Sequence, residues 1–181
     1  LSALVMKSLL ERTGISAREI DEIILGQAKQ SSDQPNIARL ASLVADFPIE
    51  IPAYTVHRQC GSGLQAVMNA AQAIKVGDAD LILAGGVESM STAPYYLRSV
   101  RYGYQAGNGI LLDPNTESQP CSQPRAIYGD LTMGITAENL AEKYSISREE
   151  QDKFAFESQK KADQAIRNRV FKNEIVPVPI H

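Results

Sequence analysis

Apolar residues recur along the first half of the chain in two different periods. Helical spacing predicts helices over residues 1–13, 36–45 and 62–76, and short continuous apolar runs between them predict strands at 22–25, 53–56 and 80–84. Continuous apolar strands that alternate with helices are typical of a parallel sheet covered on both faces. The first half is therefore predicted to be a βαβ core of the α/β class.

The second half of the chain lacks such a pattern over a long stretch. From Ser91 to Leu131 there is little periodicity, and Pro, Gly, Tyr and Asn are frequent. A connection of this length inside a compact domain is usually functional or belongs to a subdomain. We therefore divide the chain into a core, residues 1–89, and an irregular, partly helical appendage, residues 90–181.

Two helices are predicted in the appendage, over residues 135–144 and 148–169. Ser147 and Glu150 have the spacing of a capping box at the start of the second helix. Small and apolar residues at helical spacing predict the face that this helix turns inward. They are Phe154, Ala155, Ser158, Ala162, Ala165 and Ile166.

Both ends of the sequence resemble segments from the middle of a longer chain. The first helical pattern begins at Leu1 without a lead-in. Residues 174–180 form an apolar run that Pro177 and Pro179 interrupt, which predicts an edge strand or a loop. We therefore expect the chain to be cut at both ends.

Composition restricts the class of protein. The 181 residues are 44% hydrophobic and 22% charged, which excludes collagen-like and disordered chains. The net charge of −3 argues against nucleic acid as a partner, and no apolar run approaches the roughly 20 residues of a membrane span. Two cysteines, Cys60 and Cys121, are too few for a disulfide scaffold, so we expect a reducing, cytoplasmic compartment.

The most informative segment surrounds Cys60. The predicted strand 53–56 leads into a sharp turn that carries Cys60, and a helix begins directly after it. Gly61 and Gly63 permit a tight backbone, and a helix N-terminus supplies N–H groups and a partial positive charge that stabilise a thiolate and an oxyanion. Cys60 is therefore a candidate nucleophile for acyl transfer. The alternative interpretation is an inert, buried cysteine at a strand end.

The same residues fit a second kind of site. Gly61, Gly63 and Ala66 have the G-x-G-x-x-A spacing of a dinucleotide-binding turn after a strand. Two features weigh against this alternative. The next strand, 80–84, runs into two glycines instead of ending in an acidic residue, and the lead-in, 57–60, is polar where a dinucleotide-binding strand is usually apolar.

Four stretches of the sequence resemble motifs of the thiolase family, the acetyl-CoA acetyltransferases and 3-ketoacyl-CoA thiolases. Residues 58–66 (RQCGSGLQA) resemble the nucleophile motif, and residues 84–91 (AGGVESMS) resemble the signature that follows it. Residues 133–139 (MGITAEN) and 147–155 (SREEQDKFA) are similar to the helical part of the family's loop domain. The chain resembles the family over residues 21–179.

The resemblance implies a thiolase-like fold and covalent acyl transfer. Cys60 would take the acyl group from acyl-CoA as a thioester, and the backbone N–H of Cys60 would contribute to an oxyanion site. A second acetyl-CoA would then attack, or CoA would cleave a 3-ketoacyl-CoA in the reverse direction, as in fatty acid metabolism. Met133 would line the acyl pocket; the alternative is a core methionine at a helix start.

The resemblance also implies partners and missing parts. Coenzyme A thioesters would be the substrates, with no metal, no further cofactor and no membrane, and the enzyme would be a homodimer or homotetramer that associates in part through strand 53–56. Residues 1–89 would be a partial core, and 90–181 part of the loop (lid) domain. The family's first strand would precede Leu1 at the centre of the sheet, so its neighbours would be unpaired and the chain would fold poorly. The catalytic histidine and the general-base cysteine would lie in a C-terminal half, so the 181 residues alone are expected to be inactive.

Several residues do not match the family's catalytic set. His57 stands where many members have Asn, His181 is the final residue, and Cys121 has the setting of a loop thiol. Leu131 and Thr132 stand where biosynthetic members often have Tyr-His, so the motifs assign neither acyl chain length nor metabolic direction. A non-catalytic fragment with an inert thiol is the third hypothesis.

Overall fold

The structure is a computed structural model that describes residues 1–179. It consists of two compact units. The first comprises Leu1–Pro94 with Val178 and Pro179, and the second comprises Tyr95–Pro177. The division falls after Pro94, whereas the sequence places it after Ser89; the assignment of the second unit to a lid domain stays a prediction.

Helices and strands alternate in the first unit as the hydrophobic pattern predicts. They are α1 (Ser2–Thr13), β1 (Glu22–Gly26), α2 (Ile37–Val44), β2 (Ala53–Val56), α3 (Ser62–Val76) and β3 (Ile82–Gly86), with 3-10 turns at Ala17–Glu19 and Met90–Thr92. β3 begins later than predicted. The carboxylate of Asp21 accepts the backbone N–H groups of Asp80 and Leu81, so these two residues are held outside the strand.

The three strands form one parallel sheet in the order β2-β1-β3. Ile23 of β1 lies opposite Ala53 of β2 and Leu83 of β3. The expectation that a central strand is missing between these strands is therefore wrong: among the described strands, β1 is central and pairs on both sides. The expectation that the chain folds poorly stays a prediction. A crossover connection can place the next parallel strand on either side of the last one, so order along the chain does not give order in the sheet.

Both faces of the sheet are covered, which explains the continuous apolar strands. Ile23 and Ile24 are neighbours in sequence and both are fully buried, because successive side chains of a strand point to opposite faces. Ile23 belongs to a cluster with Met6 of α1 and Ala38 of α2, and Ile24 packs against Ala66 of α3. The predicted parallel sheet between two helical layers is confirmed.

The second unit combines short elements with two longer helices. They are β4 (Tyr96–Leu97), β5 (Leu111–Leu112), α4 (Pro114–Glu117), α5 (Arg125–Tyr128), α6 (Met133–Tyr144) and α7 (Arg148–Arg167), with 3-10 turns at Val100–Tyr102 and Pro120–Ser122. The capping box of Ser147 and Glu150 is present at the start of α7. α6 begins earlier than predicted, because the hydroxyl of Thr132 accepts the N–H of Ile135 and so caps the helix there.

The predicted inner face of α7 is not buried by the residues that the structure describes. Phe154 and Ile166 are 79% and 71% exposed. Helical spacing shows which face of a helix is apolar but not what covers it, so this prediction is corrected. The last described residues, 175–179, form neither helix nor strand, as expected of a loop; Ile180 and His181 lie outside the described residues. No helix within residues 1–179 has both the length and the apolar character needed to cross a membrane.

Candidate active site

Cys60 lies in a tight turn between β2 and α3. The N–H of Gly61 donates to the carbonyl oxygen of Arg58 at 3.0 Å, and the N–H of Ser62 donates to that of Gln59 at 3.1 Å. Gln59 takes the left-handed conformation (φ 48°), which is uncommon for a residue with a side chain. Cys60 itself is exposed, so its interpretation as a buried cysteine is wrong, whereas its reactivity stays a prediction.

The side chain of Ser62 holds this turn from the inside. Ser62 is 4% exposed. Its hydroxyl donates to the carbonyl oxygen of Gln59 at 2.6 Å and accepts the backbone N–H of Arg58 at 2.8 Å. Because the hydroxyl is used both as donor and as acceptor, Ser62 fixes the two residues that precede Cys60.

The start of α3 provides the electrostatic part of the site. Gly61 is the N-cap of this helix, and no side chain caps it there. The N-terminus of a helix presents N–H groups and a partial positive charge. Directly after Cys60, such groups can stabilise a thiolate and the oxyanion that forms when a thioester is attacked.

Glycines bring the ends of β1 and β3 against the start of α3. A Cβ at Gly26 would lie 2.3 Å from the carbonyl carbon of Ser62 and 2.5 Å from the nitrogen of Gly63, so no side chain fits at this position. A Cβ at Gly86 would meet the α-carbon of Gly63 at 3.3 Å. The close approach of the sheet to α3 therefore depends on the absence of a side chain at Gly26.

An open cavity of about 360 Å³ lies at this end of the sheet. Cys60 and Gln59 form one side of it, Gln27 and Ala28 after β1 form another, and the residues after β3 complete it. The carboxyl ends of parallel strands are where open α/β sheets usually bind ligands. The cavity thus gives Cys60 a place to meet a substrate.

Glu88 is the one carboxylate among the described residues that line this cavity. Its Oε2 accepts the backbone N–H of Ala28 at 2.8 Å and that of Lys29 at 3.1 Å. Glu88 therefore joins the loop that follows β3 to the loop that follows β1.

Polar side chains connect the Cys60 turn to β2. The guanidinium of Arg58 donates to Oε1 of Gln65. Nε2 of Gln65 donates to Oδ1 of Asn69 at 2.6 Å, and Nδ2 of Asn69 donates to the hydroxyl of Tyr54 at 3.2 Å. The turn is thus linked to β2 through side chains as well as through the backbone.

The other residues that the sequence singles out have different settings. Met133 begins α6 in the second unit and is 69% exposed, so it is not a core methionine. Cys121 is exposed in a 3-10 turn, as predicted for a loop thiol. His57 is exposed beside the Cys60 turn, and His181 lies outside the described residues. Within residues 1–179, no three metal-ligating side chains come together.

Known proteins share this arrangement of motifs. A sequence model described as "Thiolase, N-terminal domain" matches residues 1–181. The chain belongs to the thiolase family. A crystal structure of the Bacillus anthracis acetyl-CoA acetyltransferase is similar to this thiolase chain with a TM-score of 0.91 and 41% identity, over 100% of this chain and 45% of that one.

Curated relatives of this thiolase chain agree. The acetyl-CoA acetyltransferase of Pseudomonas aeruginosa is 46% identical over 180 residues, which are 99% of this chain and 45% of the relative. A probable acetyl-CoA acyltransferase of Staphylococcus epidermidis is 44% identical over 180 residues, with the same shares. The chain spans a little under half the length of these relatives. The family match gives no support to the dinucleotide-binding alternative.

Sequence reasoning singled out Cys60 but missed the residues that shape the thiolase cavity. Gly26, Ser62 and Glu88 each have a local signal: a glycine at a strand end, a hydroxyl at a helix start and an acidic residue just after a strand. Such a signal does not show which residue the side chain contacts. Glu88, for example, accepts a hydrogen bond from a residue 60 positions earlier in the chain.

Proposed function

We propose that this chain is the Cys60-bearing part of an acetyl-CoA C-acetyltransferase or 3-ketoacyl-CoA thiolase. The observation that carries the proposal is an exposed cysteine at a helix N-terminus, beside an open cavity, in a chain that matches the thiolase N-terminal domain throughout. The names of the similar proteins from Pseudomonas aeruginosa and Staphylococcus epidermidis support acyl-CoA as the class of substrate.

The first step of the proposed reaction is acyl transfer to Cys60. The thiolate Sγ attacks the carbonyl carbon of the acyl thioester, a new C–S bond forms, and the bond to the sulfur of CoA breaks. CoA leaves as a thiolate and takes up a proton. The N–H groups at the start of α3 stabilise the negative oxygen of the intermediate. This chemistry uses the thioester itself and needs neither a metal nor a further cofactor.

The second step needs a base that removes a proton from the α-carbon of the second acetyl-CoA. Of the described residues that line the cavity, only Cys60 and Glu88 carry side chains that ionise readily. Cys60 holds the acyl group at this stage, and Oε2 of Glu88 already accepts two backbone N–H groups. We therefore propose that the base belongs to a part of the enzyme outside these 181 residues, and that the chain alone does not turn over.

Met133 is proposed as a contact of the acyl chain. It is the first residue of α6, and its exposed side chain is free to make an apolar contact. Its backbone N–H donates to Oε1 of Gln119 at 2.9 Å, which fixes the start of the helix. A flexible, polarisable methionine suits acyl groups of varying shape.

The proposed assembly is a homodimer or homotetramer. Among the described strands, β2 pairs only with β1, so its other edge has backbone groups without a strand partner. An edge strand of this kind is a template for pairing with a second chain. Light scattering of the complete enzyme at micromolar concentration should give a dimer or tetramer, and a monomer would contradict the assembly.

The proposed setting is cytoplasmic acyl-CoA metabolism, which includes fatty acid metabolism. Cys60 and Cys121 are both free thiols. A nucleophilic cysteine must stay reduced, and the cytoplasm keeps thiols in that state.

Transfer of a labelled acetyl group tests the role of Cys60. Radiolabelled acetyl-CoA is incubated with the complete enzyme, the reaction is quenched with acid, and the labelled peptide is mapped. The label should lie on Cys60 and should be absent from Cys60→Ala. The matched control, Cys121→Ala, should keep the label, because Cys121 is a loop thiol of the second unit. Label on Cys121, or label retained in Cys60→Ala, would contradict the proposal.

A second assay tests whether the base lies outside the chain. Residues 1–181 and the complete enzyme are compared in the cleavage of acetoacetyl-CoA by CoA, with Cys60→Ala as background. The 181 residues should show no activity above that background, because the second step has no base. Activity within about tenfold of the complete enzyme would place the base inside these residues.

A further inference from the structure

Glu88 lines the Cys60 cavity but takes part in neither step proposed above. Its Oε2 accepts the N–H of Ala28 at 2.8 Å and that of Lys29 at 3.1 Å. Donors and acceptor are 60 and 59 positions apart in the chain. The carboxylate therefore acts as a clamp across the carboxyl-terminal edge of the sheet, between the loops that follow β1 and β3.

Backbone hydrogen bonds hold the carboxyl-terminal ends of the strands in place as far as Gln27, and the contacts of Glu88 begin at the next residue. The N–H of Val87 donates to the carbonyl oxygen of Gly26 at 3.0 Å, and the N–H of Gln27 donates to that of Val56 at 3.1 Å. After Gln27 the chain leaves the sheet, and the next two N–H groups, those of Ala28 and Lys29, go to Glu88. One wall of the cavity is thus held by β2 and β3 and, at its outer end, by the carboxylate.

Gln27, which forms part of this wall, has a buried side-chain oxygen. Oε1 of Gln27 is buried and has no hydrogen-bond partner among the described residues. Buried polar atoms of this kind are rare in folded proteins. Gln27 lines the cavity together with Cys60, so the position of the wall matters for a molecule that reaches Cys60.

A second carboxylate makes the same kind of clamp at the amino-terminal ends of the strands. Oδ2 of Asp21 accepts the N–H of Asp80 at 2.7 Å and that of Leu81 at 2.8 Å. These residues precede β1 and β3, and none of them lines the Cys60 cavity. Both carboxylates accept two backbone N–H groups, but only Glu88 lines the Cys60 cavity. Asp21 is therefore a matched control for Glu88.

We propose that Glu88 is a positioning residue for acyl transfer, a role that rests on the proposed thiolase function. Its carboxylate fixes the wall of Gln27 and Ala28, so that a thioester in the cavity is held with its carbonyl carbon at Sγ of Cys60. Glu88 takes part in no bond that forms or breaks. A displacement of about 1 Å between reacting atoms can cost on the order of 100-fold in rate.

The test is the rate of acetyl transfer to Cys60 in the complete enzyme, followed by rapid quenching over a range of acetyl-CoA concentrations. Glu88→Ala removes the acceptor, and Glu88→Gln keeps an oxygen of the same reach without the charge. The saturating rate should fall by roughly 10- to 100-fold in Glu88→Ala and by less in Glu88→Gln, while the half-saturating concentration stays within about twofold. Asp21→Ala and Asp21→Asn should leave both quantities unchanged.

Thermal unfolding of every variant separates positioning from stability. The Glu88 and Asp21 variants should lower the midpoint by similar amounts, and rates are compared well below all midpoints. Glu88→Gln decides the question if Glu88→Ala does not fold. Rates of the Glu88 variants within about twofold of the wild type, or an equal fall in the Asp21 variants, would overturn the positioning role alone. Absence of label on Cys60 in the wild type would overturn the thiolase function itself.

Discussion

The two faces of the sheet are both buried, yet they are packed with different side chains. The face toward α1 and α2 is an apolar core with large residues such as Met6 and Phe47. On the face toward α3, the buried helix residues that Ile24 meets are alanines such as Ala66, and the larger Tyr54 and Ile82 are only partly buried. Gly26 lies on this second face, where its backbone touches the first turn of α3.

The two faces are expected to contribute differently, one to the stability of the fold and the other to the position of Cys60. Large side chains bury apolar area and so stabilise the fold, whereas small ones allow the backbones of helix and sheet to approach closely. α3 begins two residues after Cys60, so its distance from the sheet affects the position of Cys60. Changes on the α3 face should therefore affect Cys60, and equivalent changes on the other face should affect stability alone.

The largest effect is expected from matched truncations of two neighbouring isoleucines. Ile23→Ala and Ile24→Ala each remove a fully buried side chain, and each should lower the free energy of unfolding by about 2–5 kcal/mol. Urea unfolding of residues 1–181 measures this loss. Only Ile24→Ala should change the rate at which iodoacetamide alkylates Cys60, because Ile24 packs against α3. Equal changes of that rate in both variants would remove the distinction between the faces.

A second pair of variants adds a single methyl group to each face. In Gly26→Ala the new Cβ would overlap backbone atoms of Ser62 and Gly63, so α3 must move and the free energy of unfolding should fall by about 3 kcal/mol. In Gly85→Ala the nearest atom is Cδ2 of Leu25 at 3.6 Å, an ordinary contact. This control should be neutral or more stable by up to about 1 kcal/mol. Equal stability of the two variants would show that α3 is not held against Gly26.

Two buried serines extend the comparison to hydrogen bonds. Ser62→Ala removes the acceptor of the Arg58 N–H and one of the two donors to the Gln59 carbonyl oxygen, which should cost about 1–3 kcal/mol and alter the alkylation rate of Cys60. Ser42, in α2, donates to the carbonyl oxygen of Arg39 at 2.8 Å. Ser42→Ala should cost about 1 kcal/mol and leave the alkylation rate unchanged. A change in that rate in Ser42→Ala would extend the positioning role to both faces.

The smallest expected effect is on the loss of stability at low pH. It should be the same in variants of either face of the sheet. The backbone N–H of Leu81, followed by that of Asp80, holds the pKa of Asp21 below its usual 3.8. A lowered pKa in the folded state means that Asp21 stabilises the fold above the pKa of the unfolded chain and ceases to do so as the pH falls through the folded value. Unfolding measured from neutral pH to below about 4 should show less acid sensitivity in Asp21→Asn.

Glu22 provides the control of opposite sign for this pH series. Burial raises its pKa, so its contribution to stability is greatest at low pH and is lost as the pH rises through the raised value. Glu22→Gln should therefore gain stability, relative to the parent, at neutral pH and not in acid. The same shift in Glu22→Gln and Asp21→Asn would show that general charge, and not these local contacts, governs the acid response.

The elements of the first unit could be predicted from the sequence because their signals are local. The apolar runs of β1 and β2 and the glycines around Cys60 lie within a few positions of one another, so the strand, the turn and the helix follow from short-range rules. The order of the strands could not be predicted, since it depends on crossovers of about 25 residues.

The rest of the site depends on contacts between distant parts of the chain. Nothing near Glu88 in the sequence indicates that it bonds Ala28, and nothing near Gly26 indicates the approach of Ser62. The same limit explains α7, whose apolar face was predicted from periodicity while its covering partner was not. The turn that carries Cys60 is therefore easier to predict from the sequence than the distant residues that pack around it.

The close contact at Gly26 has a consequence for protein engineering. Three glycines, Gly26, Gly63 and Gly86, are among the residues that line the cavity around Cys60. At Gly26 any other amino acid collides with the backbone of Ser62, so most members of a library that varies this position will be lost before selection begins. Directed evolution of this segment should therefore keep Gly26 fixed and place its variation at other positions.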